Sequence, residues 1–519
     1  MKILGLLLMS SLLLSSMGCT AEDIQQEGGY ELTDLEPITV SRIAKTEEGK
    51  PYLEVDGKPF PVYGAQIRVD IFKSVDKLSR QEIESYFATA QDLGINSVQV
   101  SYPWAFLEPK KDQWQFEEID MILEFANKYD LKVELLWFST NMIGDTYSWL
   151  VPLYILQEPS IRLKREGDAG WHGLYGYTYS LQMHDAWVLE REVNAVSVLF
   201  SHIREWDNAN GNRHPVITCQ VHNEPDALVR WRLDEKKISH KDRTMLTKKE
   251  AWDMTLEPLT TVGIAIQNSH YKVATRTNVI SGDGVNDFPQ TPGISPKDVY
   301  ALQGIDFVSF DPYKEHVNEI AYEVSQYASL PGNYPLIAEN RGNFANTASL
   351  MLVASALGGG YDIYDLATSR YITSNSKPPF DSEGIYYQDL TPKPHVPQVK
   401  MLLKGLVGAA EDVALTSTDN FAAFNIRTDY PEKELSQTIR TTGAELAFRT
   451  SKGALAFVLD RGDELVAYAT EDSELTVGNG TVTGGNSITL KAGQIYRLEF
   501  RSSGRLTSTV KNNIGTIFN

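Results

Sequence analysis

The stretch SRQEIESYFATAQDLGINSVQV, residues 79–100, reads as one helix followed by one strand. Ser79 and Glu82 have the spacing of a capping box, in which serine side chain and glutamate side chain each accept the other's backbone N–H. Ile83, Phe87 and Ala90 then recur at helical spacing and give the helix one apolar stripe. Gly94 supplies the residue with left-handed freedom on which helices commonly end. Residues 95–100 follow at once as a short strand.

Outward from this unit the alternation repeats. Residues 60–64 read as a preceding strand. Residues 116–129 predict an amphipathic helix with Ile119, Ile122, Leu123 and Ala126 on one side, and residues 132–138 a third strand. A helix over 185–206 and a fourth strand over 215–221 come next. Further strands are expected at 271–279, 305–310, 335–338 and 361–366. Eight strands, joined by connections long enough for parallel pairing, favour a closed (β/α)8 TIM barrel over a doubly wound open sheet. A helix over 399–409 closes the unit. Beyond it, short runs at 422–426, 454–459, 465–469, 487–490 and 495–500 alternate with turn residues, as in an all-β sandwich. Arg461-Gly462-Asp463 falls between two of these runs and reads as a hairpin turn rather than an adhesion tripeptide. The expected organisation is a signal segment over 1–19, a polar, acid-rich tether over 20–50, the barrel over 51–409 and the sandwich over 410–519.

The 48 Lys and Arg stand against 68 Asp and Glu, a net charge of −20, which argues against nucleic acid and anionic lipid as partners. At the start, Lys2 precedes an apolar run over 3–14 that is too short to span a bilayer, followed by Met17-Gly18-Cys19. This resembles a bacterial lipoprotein signal cut before Cys19, although Ser16 stands where such signals usually carry Leu. An ordinary secretory signal is the alternative. Thr20-Ala21-Glu22-Asp23 resembles the acidic surface-export signal of Bacteroidetes lipoproteins. The resemblance implies lipid attachment at Cys19, membrane contact through that anchor alone, and a place on the outer membrane, the cell surface or in the periplasm of a Gram-negative bacterium. With Cys19 acylated, only Cys219 remains, and no intramolecular disulfide can form. Cys219 lies in an apolar run and reads as an inert buried thiol. Nothing resembles a zinc, iron–sulfur or phosphate-loop motif, so neither metal nor organic cofactor is expected.

Two strands end in a single carboxyl group. Val221-His222-Asn223-Glu224-Pro225 closes the fourth and Tyr334-Pro-Leu-Ile-Ala-Glu339-Asn340-Arg341-Gly342 the seventh. In a barrel, reacting groups project from the C-terminal strand ends, and strands four and seven face each other across the mouth. Burial behind an apolar strand keeps a carboxyl protonated, as a general acid requires. Asn223 is a candidate to bind a hydroxyl or a carboxylate. Two such acids can flank one glycosidic bond, at about 5–5.5 Å for a retaining and about 6.5–9.5 Å for an inverting mechanism.

This arrangement resembles glycoside hydrolase clan A, and within it the β-galactosidases of families 35 and 42. Val100-Ser-Tyr-Pro-Trp104, then Leu107-Glu108-Pro109 and Trp114-Gln115-Phe116, resemble the second-strand signature of those families. Leu135-Leu-Trp-Phe138 resembles the third strand of family 35, and Gln220-Val-His-Asn-Glu224 its QVENE segment. The resemblance covers roughly residues 50–400. It implies Glu224 as acid/base, Asn223 as a substrate-binding amide and Glu339 as nucleophile. His222 stands where family 35 has Glu, Pro225-Asp226 replaces Tyr-Gly, and Asn-Glu-Pro is more typical of family 5. Subfamily and substrate are therefore open, and the sandwich does not resemble the family 35 accessory domains.

The resemblance also points to Tyr313, in Phe310-Asp-Pro-Tyr313 at the end of the sixth strand, as a hydrogen-bond donor to the nucleophile. Asp311 beside it reads equally as a structural cap. Trp104 and Trp137 are candidate platforms for apolar sugar faces, with core packing as the alternative. Gln66 and Arg68 end the first strand and are candidates for a substrate hydroxyl, Arg68 alternatively for an ion pair. Arg341 either holds Glu339 ionised or makes a salt bridge. The aromatics of residues 140–184, among them Tyr147, Trp149, Trp171, Tyr175, Tyr177 and Tyr179, form either sugar subsites or a self-packed loop. The expectation is retaining hydrolysis of a β-glycoside, a β-galactoside first among substrates. An endo-acting glucanase or mannanase is the alternative within the clan, and a non-catalytic, glycan-binding surface lipoprotein the alternative outside it. Carbohydrate is the partner in each case.

Overall fold

The computed structural model describes residues 30–142, 146–147, 149–161, 171–173, 176–179, 181–225, 248–280, 284–285, 295–367, 383–424, 435–450, 453–462, 464–478, 486–500 and 506–510. Eight parallel strands close into a barrel: β1 (Tyr63–Ile67), β2 (Ser97–Pro103), β3 (Lys132–Met142), β4 (Val216–Asn223), β5 (Ala274–Ile280), β6 (Phe307–Asp311), β7 (Leu336–Arg341) and β8 (Gly360–Tyr364). A helix follows each: α1 (Arg80–Leu93), α2 (Glu117–Tyr129), α3 (Ala186–Ala209), α4 (Lys248–Gln267), α5 (Pro296–Tyr300), α6 (Val317–Ala328), α7 (Thr347–Ala356) and α8 (Val396–Gly408). The βα reading of residues 79–100 holds in detail. Both bonds of the Ser79–Glu82 capping box form, Gly94 adopts φ 89, and Ile83, Phe87 and Ala90 are buried.

Several strands reach further toward their C-terminal ends than the apolar runs imply. β1 begins at Tyr63, not residue 60, and extends through Gln66. Pro61 lacks the N–H that a ladder position needs, and the polar residues beyond the apolar run are paired all the same, Gln66 with Gln99. These extensions carry polar side chains to one rim of the barrel. The barrel interior is polar in its own right. Arg276 has no exposed surface; it lies 3.5 Å from Glu134 and donates to Ser309 Oγ at 3.0 Å. Asp362 Oδ2 accepts from Gln99 Nε2 at 2.6 Å, and a Cβ at Gly64 would overlap Asp362, so that position admits only glycine.

The tether reading of residues 20–50 needs correction from residue 30 onward. Tyr30 donates to Glu205 at 3.1 Å, and the Thr33 N–H to Ser201 Oγ at 2.7 Å, both partners on α3. Ile38–Thr39 pairs in parallel with Tyr271–Lys272. Ser41–Lys45, Pro51–Val55 and Lys58–Pro59 form a small antiparallel sheet. Ser41 Oγ donates to Ile217 O at 2.5 Å and accepts Ala274 N–H at 2.8 Å, which seats this sheet at the starting ends of β4 and β5. The polar composition concealed the buried residues Val40, Leu53 and Val55, which anchor it.

The C-terminal part is a two-sheet antiparallel sandwich. Its strands are β9 (Phe421–Phe424), β10 (Leu435–Arg440), β11 (Glu445–Thr450), β12 (Ala456–Asp460), β13 (Glu464–Ala469), β14 (Ser473–Gly478), β15 (Asn486–Leu490), β16 (Ile495–Phe500) and β17 (Leu506–Val510). One sheet runs β9-β12-β13-β16-β17 and the other β10-β11-β14-β15. Strand alternation explains why β12 is buried throughout. Ala456 and Val458, with Leu465 and Ala467 of β13, share a core with Leu475 of the partner sheet, while Phe457 and Leu459 join the core shared with the barrel. There α8 lies against β13, with the Tyr468 hydroxyl bonded to Met401 O; a Cβ at Gly405 would overlap the Tyr468 ring. The hairpin reading of 461–463 is met at the described positions: Arg461 N–H donates to Glu464 O at 2.9 Å, and Gly462 has φ 89.

Candidate active site

The C-terminal rim gathers polar side chains from five of the eight strands: β1, β4, β5, β6 and β7. β4 carries Asn223 and leads into Glu224, and the backbone there is unusual. His222 has φ 61 and Glu224 φ 43, a region costly for residues with a Cβ and commonest at functional positions. Neighbouring strands hold this turn. Asn278, at the end of β5, accepts the Glu224 N–H on Oδ1 at 3.1 Å. Its Nδ2 donates to Asn223 Oδ1 at 3.0 Å and to Asp311 Oδ2, at the end of β6, at 2.7 Å. Gln220 Nε2 adds bonds to Asn223 Oδ1 at 3.1 Å and His222 O at 3.0 Å. The Asn223 carbonyl is thus doubly engaged, which leaves its amide hydrogens for another acceptor. Beneath the turn, His222 Nε2 lies 2.9 Å from Glu192 Oε1 on α3.

On the other side of the mouth, β7 places Glu339. Gln66 Nε2, from β1, donates to its Oε1 at 3.0 Å, and the Tyr313 hydroxyl, just past β6, donates to its Oε2. Tyr313 also has a left-handed backbone, φ 48. Asn340 holds that segment: its Oδ1 takes Lys314 N–H at 3.0 Å, and its Nδ2 donates to Lys314 O at 3.0 Å and the Tyr361 hydroxyl at 2.9 Å. Strand alternation separates the roles, with Glu339 toward the mouth and Asn340 toward the support. Glu224 and Glu339 are 7% and 5% exposed, buried but reachable from the rim.

Burial pushes the Glu339 carboxyl above the usual glutamate range, against the hydrogen bonds of Tyr313 and Gln66 and the charges of Arg68 and Arg276. Asp311 is pushed much further by burial and then by the negative charges of Glu339 and Glu224. Burial and the Glu339 charge also raise Tyr313 far above its ordinary value, so it remains a donor. Both glutamates thus contribute negative charge at Asp311 and at Tyr313. Among the described residues, no group of His, Cys, Asp and Glu has the arrangement of a metal site.

Residues 74–142 match a family model described as beta-galactosidase, of glycoside hydrolase family 42. That interval holds both the second-strand and the third-strand segments quoted above. A second family model, described as a domain of unknown function (DUF4978), matches residues 254–431, which include Tyr313 and Glu339. None of the curated proteins compared with the chain matches it. Among solved structures, an exo-β-1,4-mannosidase from Opitutaceae bacterium strain TAV5 aligns at TM-score 0.49 and 13% identity over 72% of this chain and 63% of that one. A polyextremophilic β-galactosidase from the Antarctic haloarchaeon Halorubrum lacusprofundi aligns at 0.46 and 14% over 66% and 58%. A β-galactosidase from the psychrophilic Marinomonas ef1 aligns at 0.45 and 12% over 72% and 62%. The chain thus spans less than two thirds of each of these three.

Several candidate side chains stand elsewhere than the sequence suggests. Trp104 and Trp137 have no exposed surface and belong to the core; their indole N–H groups donate to Glu108 and Glu192, each at 2.9 Å. Neither presents a face to a sugar, a correction that follows from strand alternation, which turns Trp137 away from the barrel interior toward α3, and from the depth of the short helix after β2. Gln66 donates to Glu339 rather than waiting for a substrate hydroxyl. Arg68 takes the ion-pair reading, with two 2.8 Å bonds to Asp70, and acts on Glu339 only by charge. Arg341 faces Glu383 at 3.1 Å and covers the Tyr313 ring at 5.7 Å; the cations acting on Glu339 are Arg68 and Arg276 instead. Of the loop aromatics, Trp149 donates to Asp70 Oδ2 at 3.3 Å, and Tyr175 lies outside the described residues, as does Cys19. Asn278 and Glu192 are absent from the sequence reading, and Gln220 enters it only as the first residue of the QVENE-like segment. Asn278 was within reach of it, as a polar residue at the C-terminal end of a barrel strand.

Proposed function

We propose that the chain hydrolyses a β-glycoside with retention, through Glu339 as nucleophile and Glu224 as acid/base. The observation that supports this is the rim itself: a glutamate at the end of β7 is held by two hydrogen-bond donors, and a glutamate just past β4 has its backbone N–H held by Asn278. Tyr313 and Gln66 leave Glu339 oriented, with its attacking lone pair on the side facing the mouth. Attack at the anomeric carbon forms a glycosyl-ester while Glu224 protonates the departing oxygen; Glu224 then takes a proton from water, and the ester is released. Asn223, its carbonyl already bound, offers amide hydrogens to a substrate hydroxyl.

Among substrates we place a β-galactoside first, from the family 42 match over residues 74–142. Asn223-Glu224-Pro225 favours a second reading, endo attack on a glucan or mannan. A panel of nitrophenyl glycosides, with product sizing on oligosaccharides, separates them. In the same assay, Glu339→Ala abolishes turnover, and Glu224→Gln slows it while sparing substrates with good leaving groups. Near-normal rates in both variants overturn the assignment. We also propose that Cys19 carries lipid and holds the enzyme at the envelope of a Gram-negative cell, where carbohydrate is its substrate and partner.

A further inference from the structure

Asn278 joins three strand ends. One hydrogen of its Nδ2 goes to Asn223 Oδ1 and one to Asp311 Oδ2, while its Oδ1 receives the Glu224 N–H. Both its amide hydrogens and its Oδ1 are engaged, and it has no exposed surface. Asp311 is 1% exposed, and its second oxygen, Oδ1, is buried and meets no hydrogen-bond donor. An ionised Asp311 would therefore keep a bare anionic oxygen in a pocket that already holds two glutamates. A protonated Asp311 needs one donor on Oδ2, which Asn278 supplies, and leaves no bare anionic charge on Oδ1.

We propose that Asp311 works in its neutral acid form and that, through Asn278, it is a positioning residue for Asn223 and Glu224. The inference rests on the reading of Glu224 and Glu339 as the reacting pair. The groups facing Asp311 are Glu224 beyond β4, Asn278 and Arg276 from β5, Tyr313 beyond its own strand, and Glu339 from β7. Burial, then the charges of Glu339 and Glu224, favour the acid; Arg276 and the Asn278 hydrogen bond oppose them without prevailing. Neutrality has a consequence for the chemistry. A third negative charge would hinder the ionisation of Glu339, which must be an anion to attack, and would hinder that of Glu224 when it must act as base. A neutral Asp311 keeps Asn278 turned so that its Oδ1 faces the Glu224 amide and its Nδ2 the Asn223 carbonyl.

The test uses the full-length enzyme, the nitrophenyl glycoside it cleaves best, and two variants. Asp311→Ala frees Asn278, and kcat falls about 10- to 100-fold with KM changed less than about threefold. Asp311→Asn keeps shape and neutrality, and kcat returns to within about threefold of wild type, with the alkaline limb of the pH–rate profile unmoved. The proposal fails if the Asn variant falls as far as the Ala variant, if Ala keeps the wild-type kcat, or if Asn moves that limb down by about one pH unit or more, the mark of a lost negative charge. A readout independent of turnover is carbon-13 NMR of Asp-labelled protein. One aspartate resonance characteristic of a protonated carboxyl at pH 7 disappears in Asp311→Asn; its absence from wild type overturns the proposal. A protein that cleaves no glycoside defeats the function reading, and the NMR result still decides the state of Asp311.

Discussion

Tyr313 settles two opposed demands on Glu339. Burial favours the neutral acid, whereas attack on an anomeric carbon requires the anion. The phenol hydroxyl and the Gln66 amide both favour the anion, and Arg68 and Arg276 add charge at longer range. The net direction is still upward, so the acid limb of the pH–rate profile lies above the ordinary glutamate range. Activity is lost as pH falls through that value, because Glu339 then takes up its proton. Tyr313→Phe removes one charge-assisted bond, worth about 1.5–3 kcal/mol, and moves the limb to higher pH while lowering kcat/KM about 10- to 100-fold. A pH–rate profile of the variant checks this; a limb that stays in place contradicts the role of the hydroxyl. His222 illustrates a different residue-scale point. It stands where family 35 has Glu, and in this chain its ring meets Glu192, which also accepts from Trp137 and Ser139. Burial raises Glu192, but the His222 charge and these hydrogen bonds outweigh it and hold the carboxyl low. The departure at 222 is thus matched by a buried acid on α3.

The barrel interior sets the terms at the scale of elements. Glu134 on β3 and Asp362 on β8 share one buried cation, Arg276 on β5. Glu134 Oε2 and Asp362 Oδ1 meet no hydrogen-bond donor when both acids are ionised. Burial, then the charge of Glu134, pushes Asp362 well above its ordinary value. A folded-state value above the unfolded one gives stability that is complete below the unfolded pKa and is lost as pH rises through the folded one. Asp362→Asn removes that titration, so the stability of the variant relative to wild type improves as pH rises from the unfolded aspartate value through the raised folded one. Urea unfolding at a series of pH values measures it; a difference independent of pH means that Asp362 is already ionised. The surface-facing halves of these elements were legible in the sequence. α1 shows its capping box, stripe and terminal glycine locally. The polar barrel layer was not, because Glu134 and Asp362 read as solvent-facing charges until closure of the sheet brings β3 and β8 to either side of Arg276.

At the scale of the whole molecule, the two proposed reacting acids could be singled out in the sequence because each is a lone carboxyl ending an apolar strand, and strand count puts strands four and seven across the mouth. Their supports could not. Asn278 lies 54 residues from Glu224, and Gln66 273 residues from Glu339, so only the closed barrel joins them. The N-terminal segment hid its fold for a similar reason, since the Ser41 hydroxyl finds its partners at the starting ends of β4 and β5, far along the chain. Among the described residues no helix is long and apolar enough to cross a membrane. Anchoring through Cys19 then predicts that Cys19→Ala moves the protein from the detergent-requiring to the soluble fraction of a Gram-negative host. Unchanged partitioning of the variant rules the anchor out.

The central claim is that Glu339 attacks the sugar while Glu224 serves the leaving group at the same bond. Its most direct test is trapping with activated 2-deoxy-2-fluoro glycosides, followed by mass-spectrometric peptide mapping. The account predicts a single fluoroglycosyl ester on Glu339, absent from Glu339→Ala and discharged slowly in Glu224→Gln. A label on another residue, or none from a sugar whose glycosides the enzyme turns over, contradicts it.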